Sequence, residues 1–150
     1  PEFKDYMKLM NSRGVTTVKE MGFDDFYGFD SFLKEKEEKK ELSLRTFFMS
    51  QPVGEGINIE HGKRMREKFQ GDFVRFSGYN RMTDGTVAST KGDLLEPYEG
   101  TNMHCSIQVD YPMIEKEVQL ADENGFRYSL HAQGDGAVLL INVRRKMESL

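Results

Sequence analysis

The chain has 150 residues, a formal net charge of −4 and one cysteine. That length fits a single domain spanning 1–150 with a buried core, and interspersed acidic and basic residues argue against nucleic acid, which needs a basic face. No apolar run reaches the roughly 20 residues of a membrane span, the expectation is of no secretory signal ahead of the first element, and the lone Cys105 excludes an internal disulfide, so a reducing, cytoplasmic setting is expected.

Residues 2–12 carry Phe3, Tyr6, Met7 and Met10 at spacings of three and four, which predicts an amphipathic helix closed by Gly14. Residues 15–18 are β-branched throughout and predict a short buried strand. Residues 23–41 form the next helical region, with Phe26, Phe29, Phe32 and Leu33 as its apolar stripe and Asp30 or Ser31 as its cap. The charge run from Lys34 to Glu41 reads as a solvated helix end with i,i+4 pairs rather than an interaction patch. A second strand is expected over 42–50 and a loop over 51–56, punctuated by Pro52, Gly54 and Gly56. A third helix follows over 57–69, using Ile59, Met65 and Phe69. Its Lys63, Arg64, Arg66 and Lys68 read as a solvated face in preference to a phosphate site, and His61 as a surface residue.

Residues 72–82 predict a third strand through Phe73, Val74, Phe76 and Tyr79. Residues 83–110 lack periodicity, and a loop that long in a compact domain is usually functional or disordered. A helix over 111–124, with Pro112 in its first turn and Gly125 at its end, leads to a strand over 126–132. The last helix covers 134–150, with Val138, Leu139, Ile141, Val143 and Met147 as its apolar positions. A helix followed by four strand–helix units predicts a parallel sheet with right-handed crossovers, either an open doubly wound sheet or half of a (β/α)8 barrel.

No nucleotide-binding glycine fingerprint, zinc-finger spacing, HExxH or Gly-x-Ser-x-Gly elbow occurs. His104 and Cys105 are sequence neighbours and do not form a catalytic dyad. Two sites remain. Asp84-Gly85 follows the third strand, as a tight turn or as a carboxylate at a barrel mouth. His131 ends the fourth strand, as a divalent-metal ligand or a hydrogen-bonded structural histidine, with Asp135 placed to cap the next helix or orient a ligand.

Four segments in order carry a resemblance: Asn11-Ser12-Arg13-Gly14-Val15-Thr16-Thr17-Val18, Leu42-Ser43-Leu44-Arg45, Met82-Thr83-Asp84-Gly85-Thr86 through Leu95-Glu96-Pro97-Tyr98, and His131-Ala132-Gln133-Gly134-Asp135-Gly136-Ala137. Together they resemble the central part of a family 3 type metal-dependent hydrolase of the amidohydrolase superfamily, the branch of N-substituted formamide deformylases and exoenzyme regulatory proteins. The resemblance implies a partial (β/α)8 barrel holding about strands two to five. It implies hydrolysis of non-peptide C–N bonds in a small amide-type substrate by a metal-activated water. It makes His131 the metal ligand at the end of strand five, with zinc the first choice of metal in the complete protein. The family's metal-bridging lysine falls at Asn80, which cannot be carboxylated, so Asn80, Asp84 and Asp135 stand as candidate active-site-loop residues. The first-strand His-x-His and the last strands are absent. The expectation is therefore a fragment that is inactive and binds metal weakly or not at all. Its exposed sheet edges would drive homo-oligomerisation. The alternatives are a non-catalytic α/β binding or regulatory module and an open flavodoxin-like domain. The last needs a phosphate loop after the first strand, where Glu20-Met21-Gly22-Phe23 is not one.

Overall fold

Strands and helices alternate along the chain in a computed structural model that describes residues 2–23, 28–51 and 56–147. Helix α1 spans Glu2–Ser12, β1 Thr17–Phe23, α2 Phe29–Glu38, β2 Arg45–Ser50, α3 Ile59–Lys68, β3 Val74–Met82, α4 Tyr111–Glu123, β4 Tyr128–His131 and α5 Asp135–Met147. The strands form one sheet in the order β1-β2-β3-β4. β1 pairs parallel to β2, and β2 parallel to β3. Tyr79 N–H donates to Arg127 O and Thr83 N–H to His131 O, each at 2.9 Å. Both partners advance by four residues together, so β3 and β4 also run parallel. Sequential order separates the two expected architectures, because a doubly wound sheet reverses its strand order at a switch point. The fold is α/β, with its four strands in the sequential parallel order of half a (β/α)8 barrel.

The chain divides into two compact units, residues 1–80 with 117–129 and residues 81–116 with 130–150. The first unit is built on apolar burial. Met7, Leu33, Leu42, Leu44, Phe48, Met65, Phe69 and Val74 form one cluster, and Tyr79, Ala121 and Phe126 a second. Edge-to-face rings run through it, with Phe48 against Phe69 at 5.2 Å and Tyr79 against Phe126 at 5.4 Å. Such pairs add to area burial because ring edges and faces carry opposite partial charge. Gly78 lies at φ +117°, and a Cβ there would come within 2.0 Å of Arg127 O, so this strand crossing requires glycine.

The charge run behaves as a solvated helix end, with Lys39–Glu35 at 2.5 Å, Lys36–Glu41 at 2.6 Å and Lys34–Glu38 at 3.8 Å. One member differs. Glu37 Oε1 accepts the N–H groups of Phe73 and Val74, at 3.1 and 2.9 Å, and so holds the start of β3.

Several expectations change. The first strand begins two residues later and runs to Phe23, because Met10 O takes Val15 N–H and pairing with β2 starts at Thr17. Helix α2 is capped by Gly28 in a left-handed conformation, not by Asp30 or Ser31; Asp30 instead pairs with Lys68 at 2.7 Å. Asn58 caps α3 by accepting His61 N–H. His61 is half-buried with its ring edge-on to Phe76, not a free surface residue. The strand at 126–132 shortens to Tyr128–His131. The expectations at Phe26, Pro52, Gly54 and residues 148–150, and at the side chains of Val143 and Met147, lie outside what is described.

Candidate functional site

The second unit places the carboxyl-terminal ends of β3 and β4 side by side, where ligands gather in parallel α/β folds. Asp84 stands two residues beyond β3 and is 1% exposed. Its Oδ1 accepts Gln133 N–H at 2.9 Å, and its Oδ2 accepts Asp93 N–H at 2.9 Å and Gly134 N–H at 2.7 Å. A buried carboxylate needs such donors, since burying an unpaired charge is very costly. Three backbone N–H groups meet that need here, and the two loops that donate them are drawn together.

The same knot explains the Gly134-Asp135-Gly136 motif. Asp93 O accepts the N–H groups of Gly136 and Ala137 at 2.9 and 3.2 Å, at the start of α5. A Cβ on Gly134 would meet that carbonyl at 2.0 Å, so only glycine allows the approach. Asp135 Oδ1 accepts Leu95 N–H at 3.0 Å and its neighbour Gly136 N–H at 2.9 Å. Tyr111 O–H donates to Asp93 Oδ2 at 2.5 Å. Burial, then the hydrogen bond and charge of Asp93, push the Tyr111 hydroxyl well above the ordinary tyrosine range.

The 83–110 segment is therefore an ordered loop. It holds a 3-10 turn at Val87–Ser89. Internal backbone bonds join Gly85 N–H to Lys91 O, Ser106 N–H to Thr90 O, Leu94 N–H to His104 O and Tyr98 N–H to Met103 O. His104 Nδ1 meets Leu94 O, whereas Cys105 Sγ–H donates to Lys91 O, so the two side chains serve different partners.

His131 is the last residue of β4, and its carbonyl accepts Thr83 N–H. Its Nε2 is a buried atom with no hydrogen-bond partner among the described residues, as is Thr83 Oγ1. An imidazole nitrogen in that state suits a metal ligand. A catalytic zinc, however, takes about three protein ligands, and no group of three or more His, Cys, Asp or Glu side chains that could hold a metal occurs among the described residues. Asp84 and Asp135 spend oxygens on backbone N–H groups. These residues offer one candidate ligand and do not by themselves make a metal site.

Structure thus brings Asp84 and Asp135 into one hydrogen-bonded knot with the backbone of His131 bonded to Thr83 beside it. Asn80, buried on β3 two residues before the strand's end, belongs to the other unit. Sequence reading missed Asp93, Tyr111 and the backbone of Gln133. A glycine-flanked aspartate inside a loop was the only available sign of Asp93.

No protein-family model and no curated protein matches the chain. Two solved structures do. The crystal structure of an uncharacterized metal-dependent hydrolase from Pyrococcus furiosus aligns over 97% of this chain at TM-score 0.75 and 21% identity. One from Pyrococcus horikoshii OT3 aligns over 96% at TM-score 0.72 and 20% identity. The chain shares the fold of part of those two proteins. It spans 30% and 29% of the lengths of those two chains. Likeness at this identity establishes the fold.

Proposed function

We propose that this chain is a segment of a metal-dependent amidohydrolase barrel acting on non-peptide C–N bonds in small amide-type substrates, with His131 as one metal ligand. The observation that carries the reading is the buried, unpartnered Nε2 of His131 at a strand end, in a chain whose fold matches part of two metal-dependent hydrolases. Zinc is the metal we propose, since a neutral imidazole suits it. It would supply an activated water. The remaining ligands come from segments that correspond to the rest of the barrel, and the isolated chain is inactive. Asp84 and Asp135 hold the loops around the ligand and do not bind metal. We place the protein in the cytoplasm, and we propose that copies associate through the unpaired edges of β1 and β4; no helix among the described residues is long and apolar enough to cross a membrane.

The test is a titration of zinc into the chain, followed by the ring resonances of His131 and by hydrolysis of an N-formyl amide. Weak binding that disappears in His131→Ala, without turnover, is expected. Binding unchanged by His131→Ala would remove the ligand assignment, and turnover by the chain alone would remove the claim of inactivity. One observation favours a second reading, a non-catalytic binding module. Both candidate carboxylates are engaged with backbone N–H groups. That reading requires zinc to bind no better to the chain than to His131→Ala.

A further inference from the structure

A cavity of about 380 Å³ opens in the first unit. Its wall contains Lys19 of β1, Phe47 of β2, Arg75 of β3, Arg66 of α3 and Arg127, the residue preceding β4. Lys19, Phe47 and Arg75 are successive register partners across three strands, so the sheet itself sets their spacing. Four cations line this cavity and no acidic residue does, in a chain whose net charge is −4. The clustering therefore does not follow from overall composition.

Two of the guanidinium groups are held by neutral partners. Arg66 donates to Gly125 O at 2.8 Å and stacks over the Phe126 ring at 3.8 Å. Arg75 Nε donates to Gly71 O at 3.2 Å. These contacts fix position without cancelling charge. None of Lys19, Arg66, Arg75 or Arg127 forms a salt bridge among the described residues, whereas Lys63 and Lys68, on the same helix as Arg66, pair with Glu60 and Asp30. Guanidinium forks match the oxygens of phosphate with two parallel hydrogen bonds. Like charges gathered around one cavity repel one another, and an anion among them relieves that repulsion.

We propose that this cavity binds a small oxyanion of the phosphate class, as the free ion or as a monoester. The site lies toward the amino-terminal ends of the strands, the end of a βα fold that does not hold the chemistry. Its occupancy would stabilise the sheet and would not enter a reaction.

The experiment is calorimetric titration of the 150-residue chain with inorganic phosphate and with phenyl phosphate, at fixed ionic strength and with chloride as the control. Saturable one-to-one binding is expected. Arg75→Gln should weaken it about tenfold, and a second substitution, Arg127→Gln, about tenfold again, since each removes a charge-assisted hydrogen bond. Lys19→Gln should weaken it too, and it touches no other described contact. Lys63→Gln, outside the cavity, should leave affinity unchanged. Tighter phenyl phosphate assigns an ester resting on the Phe47 ring, and tighter inorganic phosphate assigns the free ion; either supports the site. Heats equal to those of chloride, or equal affinity in the wild type and in Lys19→Gln and Arg75→Gln, would overturn it.

Discussion

The two units of this chain reach order by different physics. In the first, Leu33, Leu44 and Val74 are fully buried in an apolar cluster, and the strands carry their side chains into it. In the second, the largest fully buried side chain among the described residues is a carboxylate, and the order comes from N–H groups of two loops converging on Asp84. Apolar burial is non-directional and tolerates adjustment. A carboxylate holding three N–H donors is directional, and removing it leaves all three without a partner. Regions that must hold loops at a strand end cannot rely on core volume, because the loops there have little apolar surface to bury.

The largest effect that separates the two mechanisms should come from Asp84→Ala. It orphans three N–H groups and should cost about 4–6 kcal/mol. Hydrogen exchange should show the Asp93, Gln133 and Gly134 amides losing protection while the Thr46 and Phe48 amides keep theirs. Uniform loss across both units would contradict separate sources of order. Leu33→Ala is the counterpart in the first unit. It opens a cavity in the apolar cluster and should cost about 3 kcal/mol, read as a shift in urea midpoint. There the protection pattern should reverse, with the sheet amides affected first.

Legibility in the sequence follows the same division. Helix α1 agrees with its expected bounds because its order is periodic, through Phe3, Met7 and Met10. The βα alternation was legible for the same reason. The caps at Gly28 and Asn58 were not, since many polar and glycine residues near a helix start could serve equally. The Asp84 knot was legible only as an Asp-Gly turn or a carboxylate at a barrel mouth, without its donors. Its donors lie 9, 49 and 50 residues away, and backbone N–H groups leave no trace in residue identity. The Gly134-Asp135-Gly136 motif, read as a mark of chemistry at His131, has a packing cause in the Asp93 carbonyl. The resemblance rested partly on residues that hold the loop, and for that reason it indicated fold better than it indicated a metal site.

Tyr111→Phe sharpens the comparison at alkaline pH. Loss of its hydrogen bond to Asp93 should cost about 1 kcal/mol at neutral pH. The raised hydroxyl keeps its proton in the folded state after the unfolded chain has lost it near the ordinary tyrosine value of 10.0. Above that pH the folded state binds more protons, so stability falls as pH rises. The fall should be steeper in the wild type than in Tyr111→Phe, with both followed by thermal unfolding from about pH 8 to about pH 11, a window that brackets the ordinary tyrosine value.

The smallest effect lies in the first unit and at the opposite end of the pH scale. Burial raises the Asp30 carboxyl, but hydrogen bonds from Lys68 and Ser31 N–H together with the Lys68 charge more than reverse this, so the group sits below its ordinary value of 3.8. Its contribution is present above that value and is lost as pH falls, because the unfolded chain then takes up the proton first. Both side chains of the pair are 29% exposed, so water screens it. Lys68→Met should therefore cost less than about 1 kcal/mol at pH 7. It should also flatten the acid limb of the stability curve while leaving the alkaline limb set by Tyr111 unchanged. An alkaline limb that moved with Lys68→Met would mean that the two units do not titrate independently, and the division between apolar and carboxylate-centred order would then fail as a description of stability.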